Sequence, residues 1–377
     1  MRLKILFLIG TFGRGGKERQ LVELVRNLPA EEFEIHVLSK NGDPYFMDQI
    51  KDNVSSHKFF KQNTFGFKDI LYLRQVVTDV KPDIVYSWVN VLSHFALVTM
   101  FTVPRTFVLI NGGIRYAPGR LNIRQKVEAF LYNLYPFVVA NSEAGLRSFG
   151  QTQKSGRFVL YNGFDLKRVP LISKNQAKNT LGFPQDRFAV SMVARLDAAK
   201  DYRCFIKCAA ECLKKDRSIS FYAVGEGEER KELEKLCDSL KIGPYFTFCG
   251  NRNDVEMVLK ATDLSVLCSK TGNFGEGIPN AILESQACGT PVIATDCGGV
   301  PEVIINGENG YLVEPGDYKM LASRILELKG NKAKLELFSE EGLKTLHRKF
   351  DISTMVERFQ VIVRSALSKH ASILQKS

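Results

Sequence analysis

The chain has 377 residues, 45% of them hydrophobic and 25% charged, with a mean hydropathy of -0.10. This is the composition of a soluble globular protein with room for about two domains, and it excludes a peptide, a long disordered chain and a bundle of membrane spans. The formal charge of +11 is uneven: residues 1–170 hold 23 Lys/Arg against 14 Asp/Glu, leaving 29 against 27 for the remainder. A basic first half suits an anionic substrate, an anionic membrane leaflet or nucleic acid. Nucleic acid is set aside, because no stretch interleaves clustered Arg/Lys with aromatic residues.

The opening apolar run is only about seven residues long, lacks a small-residue cleavage site and runs into a glycine-rich turn, so it reads as a first strand and not as a signal peptide. Strands are expected at Lys4–Ile9, Phe33–Leu38, Ile84–Ser87, Thr106–Ile110 and Phe137–Ala140, with helices at Lys17–Asn27 and Ile70–Thr78 where apolar residues take helical spacing. The most apolar window, Ile84–Met100, is broken by Ser87, Asn90, Ser93 and His94 and falls short of the roughly 18 residues of a membrane span. A cytoplasmic protein is expected, at most peripheral at the membrane face. Asp165–Asp186 is mostly polar, contains Pro170 and Pro184, and is read as an inter-domain linker.

After it the pattern restarts. Strands are expected at Phe188–Val193, Ser218–Val224, Tyr245–Cys249, Leu264–Cys268 and Pro291–Thr295, and helices at Asp201–Lys214, Glu229–Ser239, Val255–Ala261 and Asn280–Ala287. A last helix, Ile352–Leu367, follows Asp351 as its N-cap. The alternation predicts an α/β chain with two doubly wound, Rossmann-like parallel sheets in segments 1–165 and 166–350, a C-terminal helix in 351–377, and ligands in a central cleft at the carboxyl ends of both sheets. All eight cysteines lie beyond residue 200 with no C-x-x-C pair, so neither disulfides nor zinc are expected. Cys204, Cys208 and Cys212 recur every four residues, the spacing of one packed helix face.

Three segments carry chemistry. The first strand ends in Gly10-Thr11-Phe12-Gly13-Arg14-Gly15-Gly16-Lys17-Glu18, whose glycines allow a tight turn or the approach of an anion to helix N-terminal amides. A dinucleotide fingerprint would need glycine where Glu18 stands and an acid near Leu38-Ser39-Lys40, so no nicotinamide cofactor is expected. Phe274-Gly275-Glu276-Gly277-Ile278-Pro279-Asn280-Ala281-Ile282-Leu283-Glu284 follows a buried strand and opens a helix, with Pro279 suited to the first turn. An anion held by the amides between Glu276 and Glu284 would have a carboxylate on either side, the layout of a nucleoside diphosphate sugar; alternatively Glu276 only complements the helix dipole. Arg195, after a strand, and Lys200, before a helix, can neutralise a diphosphate or be surface charges. No Asp-x-Asp triplet occurs, so this cation duty is assigned to them, with no metal and no cofactor.

The chain resembles the retaining GT-B glycosyltransferases of glycosyltransferase family 4. The likeness rests on Gly15-Gly16-Lys17-Glu18, Asn141-Ser142-Glu143, Tyr161-Asn162-Gly163-Phe164-Asp165, Ala194-Arg195-Leu196, Val224-Gly225-Glu226-Gly227, Gly250 with Asp254-Val255, and Glu276 to Glu284, which span nearly the whole chain in order. The resemblance implies an acceptor-binding first domain, a donor-binding second domain and a final helix returning to the first. On the donor side it implies Glu276 near the sugar, Glu284 on the ribose, Arg195 and Lys200 on the diphosphate, and Gly15, Gly16, Gly225, Asn251, Gly277, Ile278, Pro279 and Asn280 around them. On the acceptor side the candidates are Lys17, Arg115, His94 as a catalytic or a core histidine, and Trp88 as a stacking surface or a buried aromatic. The expected reaction is metal-independent transfer of a hexose or N-acetylhexosamine from a UDP-sugar, with retention, to a glycan or lipid-linked glycan in cell-surface polysaccharide biosynthesis. The alternatives are a GDP-mannose-dependent mannosyltransferase and a non-catalytic sugar-nucleotide or glycan binder. The basic first half suits contact with an anionic membrane.

Overall fold

The computed structural model describes residues 2–13, 15–40, 45–60, 66–102, 107–113, 116–117, 119–270 and 275–374. Its contacts divide the chain into two compact units. The first comprises Met1–Tyr116, Arg120–Gly163 and Ile352–Ser377; the second comprises Ala117–Gly119 and Phe164–Asp351.

The first unit runs β1 (Leu3–Leu8), α1 (Gly16–Asn27), β2 (Phe33–Lys40), β3 (Ser56–Phe60), α2 (Phe67–Val80), β4 (Ile84–Ser87), α3 (Asn90–Thr102), β5 (Val108–Asn111), α4 (Ile123–Leu131), β6 (Phe137–Ala140), α5 (Glu143–Ser148) and β7 (Arg157–Val159). Its seven strands are ordered β3-β2-β1-β4-β5-β6-β7 and pair in parallel throughout. Ile5 to Leu8 are buried without alternation, as expected of a central parallel strand covered on both faces.

The second unit begins with α6 (Lys174–Leu181), then β8 (Phe188–Val193), α7 (Tyr202–Lys215), β9 (Ile219–Val224), α8 (Arg230–Ser239), β10 (Phe246–Gly250), α9 (Val255–Ala261), β11 (Leu264–Leu267), α10 (Asn280–Ala287), β12 (Val292–Thr295), β13 (Tyr311–Val313), α11 (Tyr318–Gly330) and α12 (Lys332–Thr345). Its strands are ordered β10-β9-β8-β11-β12-β13, again all parallel. Cys204, Cys208 and Cys212 lie on the buried face of α7 and pack into this core. The last helix, α13 (Ile352–Leu374), belongs to the first unit: Met355, Phe359, Ile362, Val363 and Ala366 pack into its core beside Phe7, Phe33 and Tyr86.

Two expectations change. The strands β3, β7 and β13, which were not expected from the sequence, are sheet edges of three to five residues. Edge strands need only one covered side and tolerate residues such as Ser56, Lys58 and Arg157. The stretch Asp165–Asp186, read as an inter-domain linker, carries structure of its own. Leu166–Arg168 form a 3-10 turn and α6 follows, capped by Ser173, whose hydroxyl accepts from the Gln176 N–H at 3.3 Å. The turn is anchored by Val169, which packs against Val255, Leu259 and Cys288. Polar composition marked the exposed face of this segment and hid its buried contacts.

Candidate functional site

In each sheet the strand order reverses once, between β1 and β4 and between β8 and β11. The loops leaving the carboxyl ends of such a strand pair diverge to opposite faces and open a crevice between them. In the second unit the crevice is built from the loop after β8, which carries Arg195 and Lys200, and the loop after β11, which carries Ser269 and Glu276. The two loops are stitched together: the Asp201 N–H donates to the Cys268 carbonyl at 3.1 Å, the Lys270 N–H donates to the Ala199 carbonyl at 3.0 Å, and Lys200 and Ser269 form an antiparallel bridge.

This pairing brings Lys200 and Glu276 into contact, Nζ against Oε1, both side chains largely buried. The Ser269 hydroxyl donates to the same Glu276 oxygen at 2.7 Å. Ser269 is itself fixed, its N–H donating to Thr295 Oγ1 at 2.9 Å. The backbone of Glu276 is held from a third loop, where the Gly299 N–H donates to its carbonyl at 3.0 Å. An ammonium, a carboxylate and a hydroxyl thus share one point at the carboxyl edge of the sheet, near the start of α10, where the helix dipole favours an anion.

Arg195 is placed differently from Lys200. Its side chain is 75% exposed and pairs with Asp197 at 2.6 Å. So exposed a pair is weak, and the guanidinium can exchange Asp197 for a ligand at little cost. The loop before it is braced by Tyr202, whose hydroxyl donates to the Ala194 carbonyl at 2.9 Å and whose pKa burial pushes up.

Glu284 lies on the buried side of α10. It is the fifth residue of the helix, little more than one turn in. A buried carboxylate needs a partner, and Arg168 approaches it at 3.8 Å while contacting Glu256. Pro279 is the N-cap and not part of the first helical turn. It has no N–H of its own to donate. Gly225 has φ +141°, and a Cβ there would lie 2.0 Å from the Ala194 carbonyl oxygen, so close approach of two loops demands glycine at this position. Asn251 is exposed just after β10.

In the first unit Gly15 is the N-cap of α1, Gly16 its first residue and Lys17 is half-buried in its first turn. Trp88 does not offer a sugar platform. It is buried in the core, its ring 5.1 Å from that of Tyr86 and edge-on to Phe7 at 6.2 Å. The apolar flanks of β1 and β4 claim the ring because burying an aromatic of this size outweighs leaving it wet. His94 lies on α3 and not at a strand end; its Nδ1 meets the Tyr135 hydroxyl at 2.5 Å. Burial holds its imidazole below the ordinary value, with Glu128 acting in the opposite direction. Arg115 lies outside the described residues.

Sequence reasoning missed Ser269, Thr295 and Gly299. Ser269 stands just past the end of β11 and Arg195 just past β8, so the rule that sought ligands at carboxyl strand ends applied to both. Gly298-Gly299-Val300-Pro301 carried a Gly/Pro turn signal after β12.

Comparison with known proteins agrees with this architecture. Residues 173–345 match the family described as Glycosyl transferases group 1, and residues 14–168 match Glycosyltransferase Family 4. The chain is 28% identical over 357 residues to the lipopolysaccharide core biosynthesis glycosyltransferase LpsE of Rhizobium meliloti, covering 94% of this chain and 97% of that protein. It is 25% identical over 371 residues to the UDP-Gal:alpha-D-GlcNAc-diphosphoundecaprenol alpha-1,3-galactosyltransferase of Escherichia coli, covering 92% of each. The crystal structure of Anabaena HepE in complex with UDP and glucose superposes with a TM-score of 0.82 at 22% identity, over 97% of this chain and 100% of that one. With two parallel Rossmann-like sheets and both halves matched in order, the chain belongs to the GT-B glycosyltransferases of glycosyltransferase family 4.

Proposed function

We propose that this glycosyltransferase moves a hexose or N-acetylhexosamine from a UDP-sugar to a glycan or lipid-linked glycan during the building of a cell-surface polysaccharide, with retention at the anomeric carbon and without a metal. The observation that carries this reading is the cluster of Lys200, Glu276 and Ser269 at the strand-order reversal beside the start of α10. Lys200, joined by Arg195, takes the diphosphate; the amides of Gly277, Ile278 and Asn280 complete its cradle. Glu276 holds the donor sugar hydroxyls, and Glu284 the ribose. Gly225 and Asn251, in loops of the second unit, border the donor. Lys17 and His94 serve the acceptor. UDP in the HepE structure, and the UDP-galactose donor and diphosphoundecaprenol acceptor in the name of the Escherichia coli relative, support these choices.

Free of donor, Lys200 and Glu276 neutralise each other. A diphosphate entering the site would draw Lys200 to itself and release Glu276 for the sugar. Retention by double displacement needs a carboxylate nucleophile behind the anomeric carbon. With Glu276 and Glu284 assigned to hydroxyls, a front-face path is more economical, in which the departing diphosphate, stabilised by Lys200 and Arg195, accepts the acceptor proton.

The test is turnover with a panel of UDP-, GDP-, ADP- and TDP-sugars, with product configuration read by proton NMR. Glu276→Ala and Lys200→Ala should each lower kcat by about two to three orders of magnitude with the fold intact, and Arg195→Ala should do so through both kcat and donor KM. Near-normal activity in all three variants, or an inverted product, overturns the assignment.

A further inference from the structure

We infer that the outer face of α4 is the surface by which this protein rests on an anionic phospholipid bilayer. The inference does not depend on the reaction proposed above. Helices on a folded domain turn their apolar stripe inward; α4 leaves one outside. None of its residues is buried. Ile123, Val127 and Phe130 are 82%, 53% and 65% exposed, and Leu134 in the following turn is exposed as well. At positions i, i+4 and i+7 the first three form one stripe. The half-buried residues of the same helix are Gln125, Glu128, Ala129 and Leu131, so its inward side is mixed while its largest apolar side chains face out.

The surroundings specify the occupant. Arg120, Arg124 and Lys126 are exposed around the stripe. The one acid of the helix, Glu128, lies 3.5 Å from Arg124 and is drawn to the inward side. The neighbouring helix α3 carries no charged residue and exposes Val91, Val98 and Phe101. Its start is tied to the end of α4 by Asn90, whose side-chain amide donates to the Tyr132 hydroxyl at 2.8 Å, and by the contact of His94 with Tyr135. An apolar stripe flanked by cations is the pattern of a helix lying in the bilayer interface, apolar side chains among the acyl chains and cations among anionic headgroups. A stable protein interface calls for about 20–30 residues a side, far more than this stripe supplies. No described helix is long and apolar enough to cross a membrane, so the contact is interfacial.

The test uses the purified full chain with neither donor nor acceptor. It is co-sedimented with vesicles of phosphatidylcholine alone, and of phosphatidylcholine with one third phosphatidylglycerol, at low and high salt. The protein should partition onto the anionic vesicles at least tenfold more strongly than onto the neutral ones, and 0.5 M salt should remove most of that difference. Ile123→Ser with Phe130→Ser should lower the partition coefficient at least tenfold, and Arg124→Gln with Lys126→Gln should abolish the preference for anionic lipid. A reporter variant, Phe130→Trp, needs no destabilising change: its emission should shift to the blue and be quenched by brominated acyl chains, above the constant background of buried Trp88. Failure of the wild type to bind anionic vesicles at low salt, or binding undiminished by the serine changes, overturns the proposal. So does a solution dimer that the Phe130→Ser change dissociates, since a second copy would then cover the face.

Discussion

Glu276 and Lys200 come from loops 76 residues apart, and each has a chemical reason to be where it is. The carboxylate neutralises the ammonium, and the Ser269 hydroxyl takes up a further lone pair, so the buried oxygen is satisfied before any ligand arrives. Ser269 therefore positions Glu276 without itself needing to touch a substrate. Ser269→Ala should lower kcat about tenfold, the order of one hydrogen bond to a charged group, while donor KM and melting temperature change little and Ser269→Thr restores most of the rate. A loss of stability equal to the loss of rate would show the serine to be structural only. Of the residues named from sequence, Glu276 and Lys200 stand in loops after strands, where the alternation of elements put them, and Glu284 stands in the helix that follows the Gly/Pro signal. Trp88 was not: an aromatic after a strand reads the same whether its ring turns to the ligand or to the core, and only the positions of Phe7 and Tyr86 decide.

At the scale of elements, periodicity located the central strands and the helices α1, α2, α7, α8, α9, α10 and α13, because fully buried parallel strands are continuous apolar runs and these helices carry apolar residues at helical spacing. It did not place the edge strands β3, β7 and β13 or the helices α3, α4, α5, α6, α11 and α12. The helix α13 was legible as amphipathic, and its buried side shows what it contributes. Phe359 is fully buried, with ring centres 6.1 Å from Phe7, 6.2 Å from Phe33 and 5.8 Å from Tyr86. Phe359→Ala should destabilise the first unit by about 3 kcal/mol or more. For a unit of this size that is a fall in melting temperature of roughly 6–12 °C, read by differential scanning calorimetry. A fall of less than about 2 °C would mean that α13 is dispensable to that core.

At the scale of the whole molecule the two units differ in their response to acid. In the first, burial lowers His57 to about 4, with Ser39 Oγ at 2.8 Å from its Nε2, and lowers His94 as well. A histidine held below its unfolded value stabilises the fold fully only above that value, near pH 6.5, and the contribution is lost as pH falls towards 4. In the second unit Asp216 and Glu327 are lowered to about 2, Asp216 chiefly by its bond with Lys329, and Glu327 by bonds with Tyr311, Arg324 and Lys334 that outweigh burial. Their contribution persists until the pH drops below about 4. Trp88, the one tryptophan of the chain, lies in the first unit and reports on it alone. Between pH 7 and 4.5 its melting transition should fall by a few degrees, about 1 kcal/mol once partial solvent screening is allowed for. The transition of the second unit should move less, and His57→Gln should flatten the dependence of the first. A Trp88 transition independent of pH in this range would rule out histidine protonation as the cause.

The sequence by itself determined the α/β class, the two parallel sheets, the family and the segment from Glu276 to Glu284, since these follow from the period of apolar residues and from Gly/Pro punctuation, which are properties of neighbouring positions. The tertiary structure alone decided that Lys200 meets Glu276 and that Ser269 donates to the same oxygen, that Arg168 stands beside Glu284, that Trp88 is core, and that α4 shows an apolar stripe to the outside. The reason is physical. Which loops converge depends on strand order, and which face of a half-apolar helix is buried depends on what packs against it. Both are relations between parts of the chain far apart in sequence, and local pattern does not encode them.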